Sequence, residues 1–317
     1  MERLRIATRG SPLALAQAAI VSNLLRAEHP QLEVDTVVVR TTGDRDARPY
    51  AAIGGKGLFT AEVERAVVEG RADVAVHSAK DLTAALAPGC TIVCVPERAP
   101  VHDVVLGGEG TTGEERLTSL PAGAVVGTSS MRRRALLSEV RPDLPAIDFR
   151  GNVGTRIRKL ERGEVGAAIL AAAGLSRLGV PATDGALDAF SWVPAPAQGA
   201  LAIEAGEERE DVRALFAKLN DPVAAAEVAC ERAFSARLEG GCSVPLGCVA
   251  RASGSRLEAV GYLGDPGNGG GLRDRVRGDA AEAASLGEAL ADSLLASGGA
   301  AILEALRRQS LPAVPEP

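Results

Sequence analysis

Leu4-Arg5-Ile6-Ala7-Thr8-Arg9-Gly10-Ser11-Pro12, close to the start of the chain, carries the reading that decides the fold. Leu4–Thr8 is short and β-rich, which predicts a strand. Ser11 followed by Pro12 predicts an N-cap with proline at the first helical position, and the helix then runs to about Arg26. This strand–turn–helix unit recurs along the first half of the sequence. Strands are predicted at Leu32–Arg40, Asp73–Val76, Ala124–Val126, Ala146–Phe149 and Ala167–Leu170. Helices are predicted at Leu58–Glu69, Ser130–Arg141 and Val153–Arg162. Such alternation implies α/β lobes with a mainly parallel sheet. Pro96–Pro100 and Pro194–Pro196 suit paired hinge segments between two lobes. After Asn220-Asp221-Pro222 the pattern changes to a long helix, three β-like runs (about Val244–Ala252, Leu257–Leu263 and Leu272–Arg277) and two closing helices. That predicts a small C-terminal α+β domain. The expected division is 1–99 with 200–219, then 100–199, then 220–317.

Composition narrows the function. The net charge of −6 opposes nonspecific nucleic-acid binding, which needs a basic surface. The start lacks the apolar core of a signal peptide, and the uninterrupted apolar runs are shorter than a membrane span. Five cysteines form no Cys-x-x-Cys pair and only three histidines are present, which argues against zinc and for free thiols in a cytoplasmic setting. Gly55-Lys56-Gly57 lacks the flanking residues of a phosphate loop. Gly108-x-Gly110-x-x-Gly113 leaves too little room for a crossover helix before Pro121, so both read as plain loops.

The motifs that remain point to anions. Gly127-Thr128-Ser129-Ser130-Met131-Arg132-Arg133-Arg134 puts three cations in the first turn of a helix, where the dipole disfavours them unless an anion offsets the cost. Arg9 with Ser11, Arg150 with Arg156, and Arg177 follow other strands, and open α/β sheets bind ligands beyond the carboxyl ends of their strands. Arginine's planar fork suits carboxylates. Arg132, Arg133, Arg150 and Arg156 are therefore expected to serve a ligand rather than the fold. Asp81, in Ala75-Val76-His77-Ser78-Ala79-Lys80-Asp81, adds one carboxylate among these cations, suited to acid/base or cation-stabilising work. His77 reads as structural. Cys242 follows Gly240-Gly241 on a loop and precedes Pro245, so it is the cysteine expected to react, whereas Cys90, Cys94, Cys230 and Cys248 read as small hydrophobes.

These runs together resemble the porphobilinogen deaminase (hydroxymethylbilane synthase) family of tetrapyrrole biosynthesis over nearly the whole chain. The matching runs include Arg-Ile-Ala-Thr-Arg-Gly-Ser-Pro-Leu-Ala from Arg5, Gly-Gly-Lys-Gly-Leu-Phe from Gly54, and Ala-Val-His-Ser-Ala-Lys-Asp from Ala75. Further on, Arg-Gly-Asn-Val-Gly-Thr-Arg from Arg150 and Leu-Glu-Gly-Gly-Cys-Ser-Val-Pro from Leu238 match as well. The resemblance implies two α/β lobes of the anion-binding-protein kind and a third domain bearing a dipyrromethane cofactor in thioether linkage to Cys242. It implies a monomeric transferase acting on porphobilinogen, with Asp81 as the catalytic carboxylate. Arg9, Ser11, Lys56, Phe59, Ser78, Lys80, Thr128, Ser130, Arg132, Arg133, Arg150, Arg156, Arg177 and Gln198 would hold cofactor and substrate, and the Gly43–Gly57 stretch would be a loop over the cleft. Ala79, Leu82 and Thr83 depart from the usual Met, Val and Pro. Ala197 stands where Gly commonly precedes Gln-Gly, and Ala52 where some members have Lys. A non-catalytic anion-binding protein would share the lobes but would need neither Cys242 nor the third domain.

Overall fold

The structure, a computed structural model, describes residues 1–41, 57, 59–181, 184–240, 244–267 and 269–310. Lys56, Ala52 and Cys242 therefore lie outside the described residues.

Strand β1 (Arg3–Arg9) gives way to helix α1 (Pro12–Glu28), whose N-cap Ser11 accepts a hydrogen bond from the Ala14 amide. Strand β2 (Glu33–Val39) follows, then α2 (Ala61–Val68), β3 (Val74–Ser78), a single 3-10 turn at Ala79–Asp81, and β4 (Cys90–Cys94). With β9 (Leu201–Gly206) these strands form a five-stranded sheet in the order β2-β1-β3-β9-β4. Helix α1 buries Ala18, Val21 and Leu25 against Leu4, Ile6 and Ile203 on one face, and α2 buries Val63, Ala66 and Val67 against Ala7 and Ala75 on the other.

The second lobe comprises β5 (Asp103–Leu106), α3 (Gly113–Ser119), β6 (Val126–Gly127), α4 (Met131–Val140), β7 (Ala146–Ile147), α5 (Val153–Glu161), β8 (Ala167–Ala171) and α6 (Ala172–Arg177). Its four strands lie in the order β5-β8-β6-β7. Each sheet is parallel except at the strand entered after a crossing between lobes. Strand β9 runs antiparallel to β3 and β4, and β5 runs antiparallel to β8. The sheets are therefore mixed, because a chain that returns through a hinge enters from the opposite end.

The two crossing segments, 95–102 and 193–200, touch each other. The Ala99 amide donates to the Gly199 carbonyl at 3.3 Å, and a Cβ on Gly199 would sit 2.4 Å from the Ala99 oxygen. Gly199 also takes φ 88°, so only glycine suits the position. Ala197, two residues earlier, holds φ 60° with a methyl group, a conformation that costs an L-residue about 1–2 kcal/mol.

Helix α7 (Glu210–Phe216) closes the first lobe, and α8 (Pro222–Arg237), capped by Asp221, opens the C-terminal domain. Strands β10 (Leu246–Ser253), β11 (Arg256–Asp265) and β12 (Gly270–Asp279) form an antiparallel sheet, followed by α9 (Ala283–Leu294) and α10 (Ala300–Ser310). A Cβ on Gly287 would lie 2.1 Å from the Cys230 oxygen, so α9 can approach α8 this closely only with glycine there. The Ala280–Arg308 segment is long and apolar enough to cross a membrane by length and composition. It is broken at Gly298, with φ 110°, and lays Ala283, Gly287, Leu290, Ala291 and Leu294 into the domain core.

A buried ion network ties this domain to the crossings. Arg98, in the first crossing, reaches Glu227 at 2.9 Å and Glu231 at 2.7 Å, both on α8. Glu231 also accepts the Ala197 amide at 2.5 Å and the Ala250 amide at 2.7 Å. Two crossings, a helix and a strand thus share one set of fully hydrogen-bonded charges, the condition under which buried ions are tolerated.

Candidate active site

The carboxyl ends of β1 and β3 open into a cavity of about 50 Å³ lined by Arg9, Ser11, Gln17, Phe59, Thr60, His77, Ser78 and Asp81, among others. Arg9 stacks over the Phe59 ring with its guanidinium carbon 4.2 Å from the centroid, a cation–π contact that keeps a charge beside an aromatic face. Gln17, buried on α1, donates to the Ser78 hydroxyl at 2.8 Å. Asp81 ends the 3-10 turn that follows β3 and is exposed to the cavity. Strand polarity explains the meeting: β1 and β3 are parallel neighbours, so the segments after them emerge on the same side.

Lys80 stands beside Asp81 and spans the lobes, donating to Gln198 Oε1 at 3.2 Å. Its side chain is open to the cleft, while protein packed around Nζ pulls its pKa down to about 8, opposed by Asp81. Arg177, at the end of α6, donates to the Gly199 carbonyl at 2.6 Å. Burial pulls its pKa down to about 10. Helix α5 brings Arg156, whose Nε donates to the Gly151 carbonyl at 2.8 Å, and Arg150 precedes it. A methyl group on Gly174 would touch both Leu13 of the cavity wall and Val153 of α5 at 3.8 Å, so the start of α5 lies close to the cavity.

Arg132 and Arg133 correct the sequence reading. Both are buried, and both bind Asp103 of β5: Arg132 at 2.8 Å, Arg133 through two nitrogens at 2.7 and 3.1 Å. Their remaining bonds go to the Val193 and Ile169 carbonyls, each at 2.8 Å. Arg134 pairs with Asp148 at 2.7 Å. The anion that offsets three cations at a helix start is therefore supplied by the protein. Arg132 and Arg133 serve the fold, contrary to the expectation that truncating them would spare it. Thr128 and Ser130 are likewise engaged in the local turn, accepting from the Ser130 and Arg133 amides at 3.2 and 3.4 Å.

Asp103 was not singled out from the sequence. It is fully buried and also accepts from Trp192 Nε1 at 3.1 Å and Gln198 Nε2 at 2.8 Å. The arginines beside it hold its carboxyl far below the usual range despite burial. Gln198 thus links Lys80 on one lobe to Asp103 on the other. The four described cysteines are buried, and burial pushes Cys90, Cys94 and Cys230 up to about 12 and Cys248 well above the normal thiol range. None of these four is poised as a nucleophile.

Residues 4–214 match the family model described as porphobilinogen deaminase, dipyromethane cofactor binding domain, and residues 225–296 match the porphobilinogen deaminase C-terminal domain. The chain belongs to the porphobilinogen deaminase family. The porphobilinogen deaminase of Roseiflexus sp. strain RS-1 is 45% identical over 307 residues, spanning 95% of this chain and 99% of that one. The enzyme of Roseiflexus castenholzii is also 45% identical, over 302 residues covering 95% and 98% of the two chains. Among solved structures, the methionine binding protein MetQ is similar at TM-score 0.42 and 12% identity, covering 68% of this chain and 89% of that one. The sulphonate binding protein SsuA from Escherichia coli is similar at TM-score 0.38 and 16% identity, covering 74% and 70%. Within the porphobilinogen deaminase family, the cavity carrying Asp81 falls in the matched cofactor-binding region, and Cys242 in the matched C-terminal one.

Proposed function

We propose that this chain is a hydroxymethylbilane synthase that joins four porphobilinogen molecules head to tail, losing one ammonia at each step, on a dipyrromethane held by Cys242. The observation that carries the reading is the cavity that sets one carboxylate, Asp81, among Arg9, Ser11 and Phe59, in a chain of this family. The donor set fits the cofactor: every pyrrole carries an acetate and a propionate, and Arg9, Lys80, Arg150, Arg156 and Arg177 offer cations around one cleft. When bound, the dipyrromethane supplies a nucleophilic pyrrole carbon on which the chain grows. The protein's own part is to hold carboxylates and stabilise charge. Arginine forks fix the substrate side chains, Phe59 covers a ring face, and Asp81 faces the positive charge that develops as ammonia departs. Arg132 and Arg133 support this cleft from behind through Asp103, and Thr128 and Ser130 shape the turn from which those arginines start. A cytoplasmic monomer fits the free thiols and the single-chain site.

Incubation of the purified protein with porphobilinogen tests the reading. The expected result is release of a linear tetrapyrrole with four ammonia molecules per product. Tight binding of carboxylates or sulphonates without ammonia release would favour a binding protein instead.

A further inference from the structure

Behind the cavity wall lies a second polar cluster. His77 lines the cavity, and its Nε2 is 3.1 Å from Glu204 Oε2, both side chains almost wholly buried. Helix α2 contributes Glu64 and its N-cap Thr60, β4 contributes Cys90, and Arg232 approaches from α8. Five buried polar atoms here, Thr60 Oγ1, Glu64 Oε1, His77 Nε2 and both Glu204 oxygens, meet only poorly directed contacts, with Thr60 facing Glu64 and with Cys90 and His77 facing Glu204. Buried polar atoms are normally satisfied, so such a concentration calls for an explanation. The groups are not arranged as metal ligands.

Charge supplies the explanation. Glu64 and Glu204 are two carboxylates in a dry space faced by one cation, Arg232, which itself donates to the Thr83 and Ala84 carbonyls at 3.1 and 3.2 Å. A second carboxylate close by in a buried space favours the protonated form of the first. Burial first, and Glu204 next, raise the pKa of Glu64. The Cys90 thiol, pushed up to about 12 by burial, Glu204, Glu64 and Glu207, adds no charge. The cluster thus lies one side chain away from Asp81's cavity, joined to it by His77.

We propose that His77, Glu204 and Glu64 form a proton relay for condensation, with His77 taking the hydrogen that the attacking pyrrole carbon loses. The proposal rests on the cavity being the condensation site. The balance is complete without a further reagent. The carbon–nitrogen bond of the substrate's protonated aminomethyl group breaks, and neutral ammonia leaves with the electron pair. The freed methylene carbon bonds the ring carbon of the acceptor pyrrole. That carbon's C–H bond breaks, its electrons restore the aromatic ring, and the proton passes to His77, which Glu204 stabilises as imidazolium. The proton is then released to ammonia, so each step yields one ammonium.

Two measurements on cofactor-loaded protein test this. Infrared spectra of wild type at neutral pH should show a protonated carboxyl band that is lost in Glu64→Gln; a wild type without that band overturns the relay. Single-turnover kinetics with porphobilinogen deuterated at its free ring carbon should show His77→Gln slowed about 100-fold, with a deuterium isotope effect from the second condensation onward. A wild-type rate in His77→Gln, or slowing without an isotope effect, overturns the proposal. Asp81→Asn serves as the separate control: if it behaved as wild type, the cavity assignment would fail and the relay with it, whereas a slowed Asp81→Asn beside a wild-type His77→Gln would overturn the relay alone.

Discussion

Asp81→Asn should leave substrate binding nearly intact while slowing condensation by about a thousandfold or more, the range seen when a preorganised electrostatic group is lost. Asparagine keeps the shape and hydrogen-bonding capacity of the side chain and removes only its charge. That charge matters because ammonia leaves a positive azafulvene whose pyrrole nitrogen needs an anion close by. Arg9 lines the same cavity and Lys80 adjoins Asp81 in sequence, and both would repel the developing cation, so Asp81 has to outweigh them. Asp81→Glu should retain more activity than Asn, because it keeps the charge at a slightly wrong distance. Single-turnover kinetics on mutants whose cofactor content has been checked by mass will decide. Equal rates for Asn and wild type, or Glu no better than Asn, would reduce Asp81 to a structural partner of Lys80.

The largest effect on stability is expected at Asp103. Asp103→Asn leaves two buried guanidinium groups facing an amide, and removing one partner of a buried ion pair costs about 3–5 kcal/mol. The chain's one tryptophan, Trp192, donates to this carboxylate, so its fluorescence reports directly on the network during urea unfolding. Arg156→Ala, on a partly exposed side chain hydrogen-bonded to a carbonyl, should cost about 1 kcal/mol or less. A pH dependence follows with a defined sign. The carboxyl of Asp103 is depressed in the folded state, so its stabilisation is complete above the unfolded pKa of about 4. It is lost progressively as pH falls from there through the folded value. Wild type should therefore lose stability more steeply than Asp103→Asn below about pH 4. An Asn variant as stable as wild type would mean that Asp103 does not hold the arginines.

How legible all this was in the sequence depended on how local the signal was. The β1–α1 boundary was legible because Ser11 and Pro12 carry capping information within two residues, and the cap formed as expected. Strands β4, β5 and β9 were passed over. They are four to six residues long, sit beside Pro or Gly, and take their place in the sheets from the crossings rather than from any period. The arginine run at Arg132–Arg134 was read as demanding an anion from a ligand, whereas the fold itself supplies carboxylates to it. Its partner Asp103 lies 29 and 30 positions earlier, on a strand that local pattern did not reveal. Gln17 and Trp192 escaped for the same reason: each acts through a contact that only the packed sheets create.

Intact-mass spectrometry of the purified protein tests the central claim most directly. An active wild-type preparation should be heavier than its encoded chain by one dipyrromethane, and Cys242→Ala, made in the same way, should have the bare mass and no turnover. An active wild type at the bare chain mass, or the same added mass on Cys242→Ala, would contradict the account.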